Sequence, residues 1–297
     1  MTTRPILAVD SWTDTRDTLH RWLQVVGKIR MVSTPHVNHW WNVTLHLTPR
    51  GLGTGPQIQG EAIFDIEFDF VDHRLVIRHS DGGERVLPLA PMSVAEFTSR
   101  LFEHLADLEL HPRIHGAPNE VELAIPFAKD FTHASYDAAA AHAFWRQLVD
   151  ADRALSRFRS EFTGKVSPVH FFWGAMDLAV TRFSGRDAPR HPGGAPNCPN
   201  EVMVEGYSHE ISSAGFWPGG GREGAYYSYA YPDPAGFSEA QMPEGAHWDP
   251  ALGEFLLPYE VVRQSTDPEG LVHSFLTATF RAAADLGNWG AAADSRE

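Results

Sequence analysis

The sequence predicts an α+β protein built from two diverged helix, four-strand antiparallel sheet, helix repeats packed about a pseudo-twofold axis. Residues 39–47, His-Trp-Trp-Asn-Val-Thr-Leu-His-Leu, alternate as a strand would, with His39, Trp41, Val43, Leu45 and Leu47 on one face and Trp40, Asn42, Thr44 and His46 on the other. The design returns at 170–178, where His170, Phe171, Phe172 and Leu178 replace His39, Trp40, Trp41 and Leu47, and Asp177 replaces His46. The flanks repeat in the same order: Trp22 with Trp145, Glu84 to Leu89 with Glu254 to Tyr259, and Phe97 with Phe275. The offset grows from 123 (Trp22 to Trp145) to 178 (Phe97 to Phe275), as in a duplication whose second copy has gained loops.

In chain order, residues 11–30 form a helical stripe through Leu19, Trp22, Leu23 and Val26, with Ser11 and Asp14 as a capping pattern and Gly27 ending or weakening it. The 39–47 strand leads into a turn rich in glycine and proline at 49–56. Those glycines suggest a phosphate loop, but Pro56 opens another strand rather than a helix and no Gly-Lys-Ser/Thr follows, so a hairpin turn is the better reading. Residues 61–89 form an antiparallel meander punctuated at Asp72-His73 and Asp81-Gly82-Gly83. Asp65, Glu67 and Asp69 share one of its faces, as an exposed polar face does. Ser93 to Glu96 cap a helix reaching Leu108.

The first repeat is assigned to 1–110, a connecting segment with a short strand at 121–125 to 111–136, and the second repeat to 137–297. The second opens on a helix over 137–162, followed by strands at 170–183, 201–217 and 226–231 between long Pro/Gly loops. Asp267-Pro268 starts a closing helix to 286, and the Ala-rich end is expected to fray. Long ordered loops are uncommon unless they serve a function, which directs attention to the second half.

The 297 residues are 43% apolar, enough for a large core, and carry a net charge of -14 from 38 acidic and 24 basic residues, of which only Lys28, Lys129 and Lys165 are lysine. That balance argues against nucleic acid or an anionic membrane as partner. With neither a secretory hydrophobic region nor an apolar run long enough to span a bilayer, a cytoplasmic location is expected. Cys198, the single cysteine, excludes an internal disulfide and reads as a bystander thiol in a loop.

Among sixteen histidines, His39 and His170 fall on apolar faces and read first as core residues. The densest run of catalytic residue types is 201–210, in which His209 and Tyr207 share a strand face and suit acid-base work. The expected catalytic group is His209, Tyr207 and Asp177. Ligand binding is assigned to His46, His170, Trp173, Glu210, Trp217 and Tyr227, with Trp217 and the 219–224 glycine loop as a lid. A divalent metal on His170, Asp177, Glu205 or His209 is the cofactor alternative, histidine and carboxylate suiting zinc, manganese or iron.

The motifs Asn38-His39-Trp40-Trp41-Asn42-Val43-Thr44-Leu45-His46-Leu47-Thr48-Pro49-Arg50-Gly51, Val169 to Leu178 and Tyr229-Ala230-Tyr231-Pro232 resemble an uncharacterised bacterial family, common in actinobacteria, known only as a domain of unknown function. The resemblance covers nearly the whole chain and implies no activity. The sequence therefore points to a protein that binds a small molecule in a His/aromatic pocket of the carboxyl-terminal half. An enzyme of unrecognised class and a non-catalytic ligand sensor remain open, with a protein-interaction scaffold third.

Overall fold

The structure, a computed structural model, describes residues 4–290, so the Ala-rich end lies outside the described residues. It is an α+β fold with two antiparallel sheets of six strands each. Helix α1 (Thr13–Val32) precedes the first sheet, made of β1 (His46–Leu47), β2 (Gly51–Gly53), β3 (Gln57–Gln59), β4 (Ala62–Asp69), β5 (Arg74–His79) and β6 (Glu84–Pro88). Its strands run in the order β1-β2-β4-β5-β6, with β3 paired to β4. Helix α2 (Val94–Ala106) closes this half.

Helix α3 (Ala138–Ser160) then leads to β7 (His170–Phe172), β8 (Asp177–Asp187), α4 (Asn200–Gly206), β9 (His209–Trp217), β10 (Ala225–Tyr231), β11 (His247–Asp249) and β12 (Glu254–Pro258). The second sheet runs β7-β8-β9-β10-β12-β11, and α5 (Tyr259–Gln264) and α6 (Pro268–Leu286) end the chain. Six strands stand in each sheet where four were expected, because short pieces such as β2 and β11 pair at turns that read as loop in the sequence.

Local chemistry sets the helix starts. Ser93 accepts from the Glu96 amide, Asp267 from Gly270, and Asp137 from Ala139 and Ala140, each satisfying donors that a first turn leaves unpaired. Helix α1 begins without a side-chain cap, so the Ser11 and Asp14 pattern is not used. Its Leu19, Trp22, Leu23 and Val26 are buried as expected. Trp22 stacks on Phe97 of α2 at 4.7 Å and Phe97 lies over Phe68 of β4, tying both helices to the first sheet. In the second half, Phe158 of α3 meets Phe280 of α6 edge-on. One continuous apolar core runs through both halves.

Four expected strands differ. Residues 38–43 form a 3-10 turn in which His39 and Trp40 take left-handed backbone angles, and only His46 and Leu47 are strand. Polar side chains capture the donors that a strand would offer its neighbour: Asn42 accepts from the Val37 amide and Glu205 from the His39 amide. Residues 170–178 are likewise broken by a turn after Phe172, with Met176 left-handed. The 201–217 stretch starts as α4 and becomes strand only at His209, while 121–125 is irregular, with Leu123 exposed at 69%. Of the acidic face on β4, Asp65 and Glu67 pair with Arg78, but Asp69 is buried between Arg50 and Arg74.

The two sheets meet at one bridged pair. Leu45 and Phe171 exchange both backbone hydrogen bonds, at 2.9 and 2.8 Å, and Trp173 donates its indole N–H to the Val43 carbonyl at 2.8 Å. Gly27 sits inside α1, where a β-carbon would collide with the Trp173 indole. This glycine therefore does not end the helix; it admits the ring. Alanine there would normally favour a helix by about 1 kcal/mol, but overpacking costs about 1–3 kcal/mol, so Gly27→Ala should lower stability by up to about 2 kcal/mol. A urea midpoint that rises in this variant would contradict the close approach.

Candidate functional site

Beside that junction lies a cavity of about 670 Å³. It draws walls from both halves: Lys28 and Met31 of α1, the 39–43 turn, Asn119 and Glu120 of the connecting segment, the β7 and β8 hairpin, the 197–207 segment, and Ile211, Ser213, Tyr227 and Tyr229 of β9 and β10. Alternation fixes the sheet contribution, since Ser213 faces Tyr229 and Gly215 faces Tyr227 across the ladder. Gly215 is required there because a β-carbon would strike the Tyr227 ring.

The polar groups form two chains. Tyr227 donates its hydroxyl to Asp177, and the Tyr207 and Tyr229 hydroxyls meet at 2.9 Å. Thr181 and Ser213 share a 2.9 Å hydrogen bond below them. Burial pushes Asp177 up to about 6 despite the bond from Tyr227, which opposes the shift. Glu120 stands against Gly174, where a β-carbon would collide with its carboxylate. Although this side chain is exposed at the cavity edge, the surrounding protein and then the neighbouring Asp177 raise its carboxyl to about 7, against the pull of Lys28. Behind them, burial and Asp177 also raise Glu254 to about 7.

Lys28 is lowered by burial to about 8, bonds to the Asn119 carboxamide oxygen and lies 5.5 Å from the Trp173 ring centre. Burial, then Glu120, pushes the Cys198 thiol up to about 11, which keeps it protonated and disqualifies it as a nucleophile. Burial raises Tyr207 to about 12, and Tyr227 and Tyr229 rise well above their ordinary value for the same first reason.

Four sequence-predicted residues converge here: Asp177, Tyr207, Trp173 and Tyr227. The other five lie elsewhere. His209 stands behind His39, ring centres 5.5 Å apart, and pairs with Ser208 and Asp187. Tyr207 sits in the turn after α4, so it does not share a strand face with His209. His170 is fully buried beside Thr44, and burial holds it neutral, down at about 3. His46 lies next to it, lowered by burial and then by Arg30. Glu210 points to the opposite sheet face, bound by Ser184 and Arg186.

Trp217 lies past the cavity end of β9, and the 219–224 loop is tied to the amino-terminal segment through Val9 and Arg222, so neither is placed as a lid. The residues of the metal alternative are not gathered, and among the described residues no three His, Cys, Asp or Glu side chains form a metal-holding group. Glu205 instead bonds His36 at 2.7 Å and the His39 backbone at 3.2 Å, anchoring the 39–40 turn.

Glu120, Lys28 and Trp41 were not singled out for the pocket from sequence. A glycine within a helix, Gly27, was the one signal that could have pointed to α1 as a wall.

A family model matches residues 4–296 of the chain. The chain belongs to a family of unknown function (DUF5996). No curated protein and no solved structure matches it. Among the described residues, no helix is long and apolar enough to cross a membrane.

The raised carboxyls have a thermodynamic consequence. A carboxyl whose folded affinity for a proton exceeds its unfolded affinity weakens the fold as pH rises through its folded value. Asp177→Asn removes that burden and keeps an acceptor for Tyr227, so it should be more stable than the parent at pH 8. The advantage should shrink as pH falls through about 6 and vanish near the ordinary carboxylate range. Urea unfolding at several pH values checks this; a variant less stable than the parent at every pH contradicts the assignment.

Proposed function

We propose that this protein binds a small molecule in the cavity between its halves, with Asp177, Glu120, Tyr207, Tyr227 and Trp173 as contacts. The observation that carries the reading is where backbone strain collects. Eight non-glycine residues among the described ones have left-handed φ angles: His39, Trp40, His73, Glu109, Glu120, Met176, Asn197 and Asn288. Four of them, His39, Trp40, Glu120 and Asn197, line the cavity, and Met176 directly precedes Asp177. Such angles cost about 1–3 kcal/mol each and persist where surrounding structure enforces them, typically at sites that must hold a geometry. The cavity's volume, its aromatic walls and its few convergent polar groups add support, since ligand pockets run about 300–1,000 Å³.

The enzymatic version of this reading rests on Glu120 and Asp177, which exchange protons near neutral pH and could serve as acid or base. It differs from a sensor in one observable: the bound molecule is converted. We also read the halves as a diverged duplication forming two lobes, because the meander β1-β2-β4-β5-β6 and the meander β7-β8-β9-β10-β12 each follow a Trp-bearing helix and precede a Phe-bearing one. Superposing the halves should carry Leu87 onto Leu257 and Phe97 onto Phe275; a better fit in another register opposes the duplication.

Val202 lines the cavity from α4 and is only half-buried, so Val202→Trp should fill the space at a stability cost within about 0.5 kcal/mol. Native mass spectrometry after exposure to a metabolite extract should find an adduct on the parent that the variant lacks. Equal adducts on both, or none on the parent, would count against the site.

A further inference from the structure

We propose that the ligand of this cavity is an organic cation, an amine or ammonium group on an apolar body, seated with its charge between Asp177 and Glu120; the assignment rests on the binding function argued above. Both carboxyls stand at one end of the β7 and β8 hairpin. Glu120 packs on Gly174 in its turn, and Asp177 is the cross-strand partner of Phe172 at its base. Among the described residues the Glu120 carboxylate forms no hydrogen bond or ion pair. Glu120 is exposed at the edge of the cavity, so its unpartnered carboxylate is open to a cation entering there.

The rings point the same way. Two of the chain's three lysines already rest on aromatic walls of this cavity: Lys28 over Trp173, and Lys165 over Trp41 and Phe183 at 5.6 and 4.8 Å. Trp40, Phe172, Tyr207 and Tyr229 line it without carrying a cation of the protein's own. Aromatic faces beside carboxylates favour ammonium groups, which gain from both the ring quadrupole and the charge.

An anionic ligand fits worse. The one buried ammonium, Lys28, is already bonded to Asn119, and His39 is kept neutral by burial and by Lys165. His115 is exposed, Cys198 is protonated, and the tyrosines hold their protons. An anion would meet Asp177 and Glu120, with Glu254 behind them.

The pH dependence follows from the same groups. Raising pH through about 6 and then about 7 ionises Asp177 and Glu120 and should tighten cation binding, whereas an anion held by Lys28 should weaken as pH passes about 8.

Isothermal titration with benzylamine, benzyltrimethylammonium, benzoate and benzyl alcohol tests the assignment on the full chain. At least one of the two cations should bind about tenfold or more tightly than benzoate near pH 8, and lose about tenfold or more near pH 5. Glu120→Gln and Asp177→Asn should each weaken it; the glutamine variant, at a side chain without partners, remains informative if the asparagine variant unfolds. Benzoate binding as well as the cations, or carboxyl variants without effect, overturns the proposal. Benzoate or benzyl alcohol bound in the absence of cation binding, and lost in Val202→Trp, overturns the charge assignment while leaving the ligand site standing. No cation bound at about 10 mM also overturns it, and the adduct experiment then decides the binding function separately.

Discussion

The exchange of two backbone hydrogen bonds between Leu45 and Phe171 is the constraint on which the rest of the structure depends. It is the ladder contact between the two sheets, and its strands are short: β1 has two residues and β7 three. On either side of it the chain leaves strand geometry, into the left-handed turn at His39 and Trp40 on one side and the turn at Trp173 to Met176 on the other. Longer strands would have zipped the halves into one sheet. Because they stop, the aromatic residues that would have faced each other across a ladder wall a cavity instead. Trp173 then locks the arrangement by bonding the Val43 carbonyl and filling the notch at Gly27.

A cavity so formed places charge where the protein tolerates it poorly. Asp177, Glu120 and Glu254 all have raised proton affinity, in each case first from the surrounding protein, and Asp177 adds to the rise at the other two. Elsewhere this chain neutralises enclosed charge directly: Asp69 lies between Arg50 and Arg74, and Glu223 receives two bonds from Arg263. The contrast sets the cavity apart from ordinary packing, since a purely structural carboxyl would be expected to have found its arginine. Strained backbone and under-partnered acids in one place both cost stability, and both are accounted for by selection for a site.

Much of this was legible in the residues. The meander at 61–89, the caps at Ser93 and Asp267, and the strand-then-helix ends after Glu84 and Glu254 follow from period and capping chemistry, which are local. The cavity was half legible, because Asp177, Tyr207, Trp173 and Tyr227 stand in the loop-rich second half where function was sought. The turn at His39 and Trp40 was not, since alternation in 39–47 fits a strand and the carboxylate that holds the turn, Glu205, comes from α4. Glu120 was missed for a similar reason: it lies in a connecting segment without periodicity, and only the fold brings it to Gly174. His209 misled because its neighbours in sequence are chemically suggestive, whereas in space it backs onto His39 from outside the cavity.

The nine tryptophans allow a direct measurement of the central claim. Only Trp40, Trp41 and Trp173 line the cavity, while Trp12, Trp22, Trp145, Trp217, Trp248 and Trp289 pack elsewhere. Indole N–H resonances of the labelled protein, assigned by single Trp→Phe variants, can be followed as a metabolite extract is added. A ligand in the cavity should shift the resonances of Trp40, Trp41 and Trp173 and leave the other six in place. Shifts confined to those six would contradict the account.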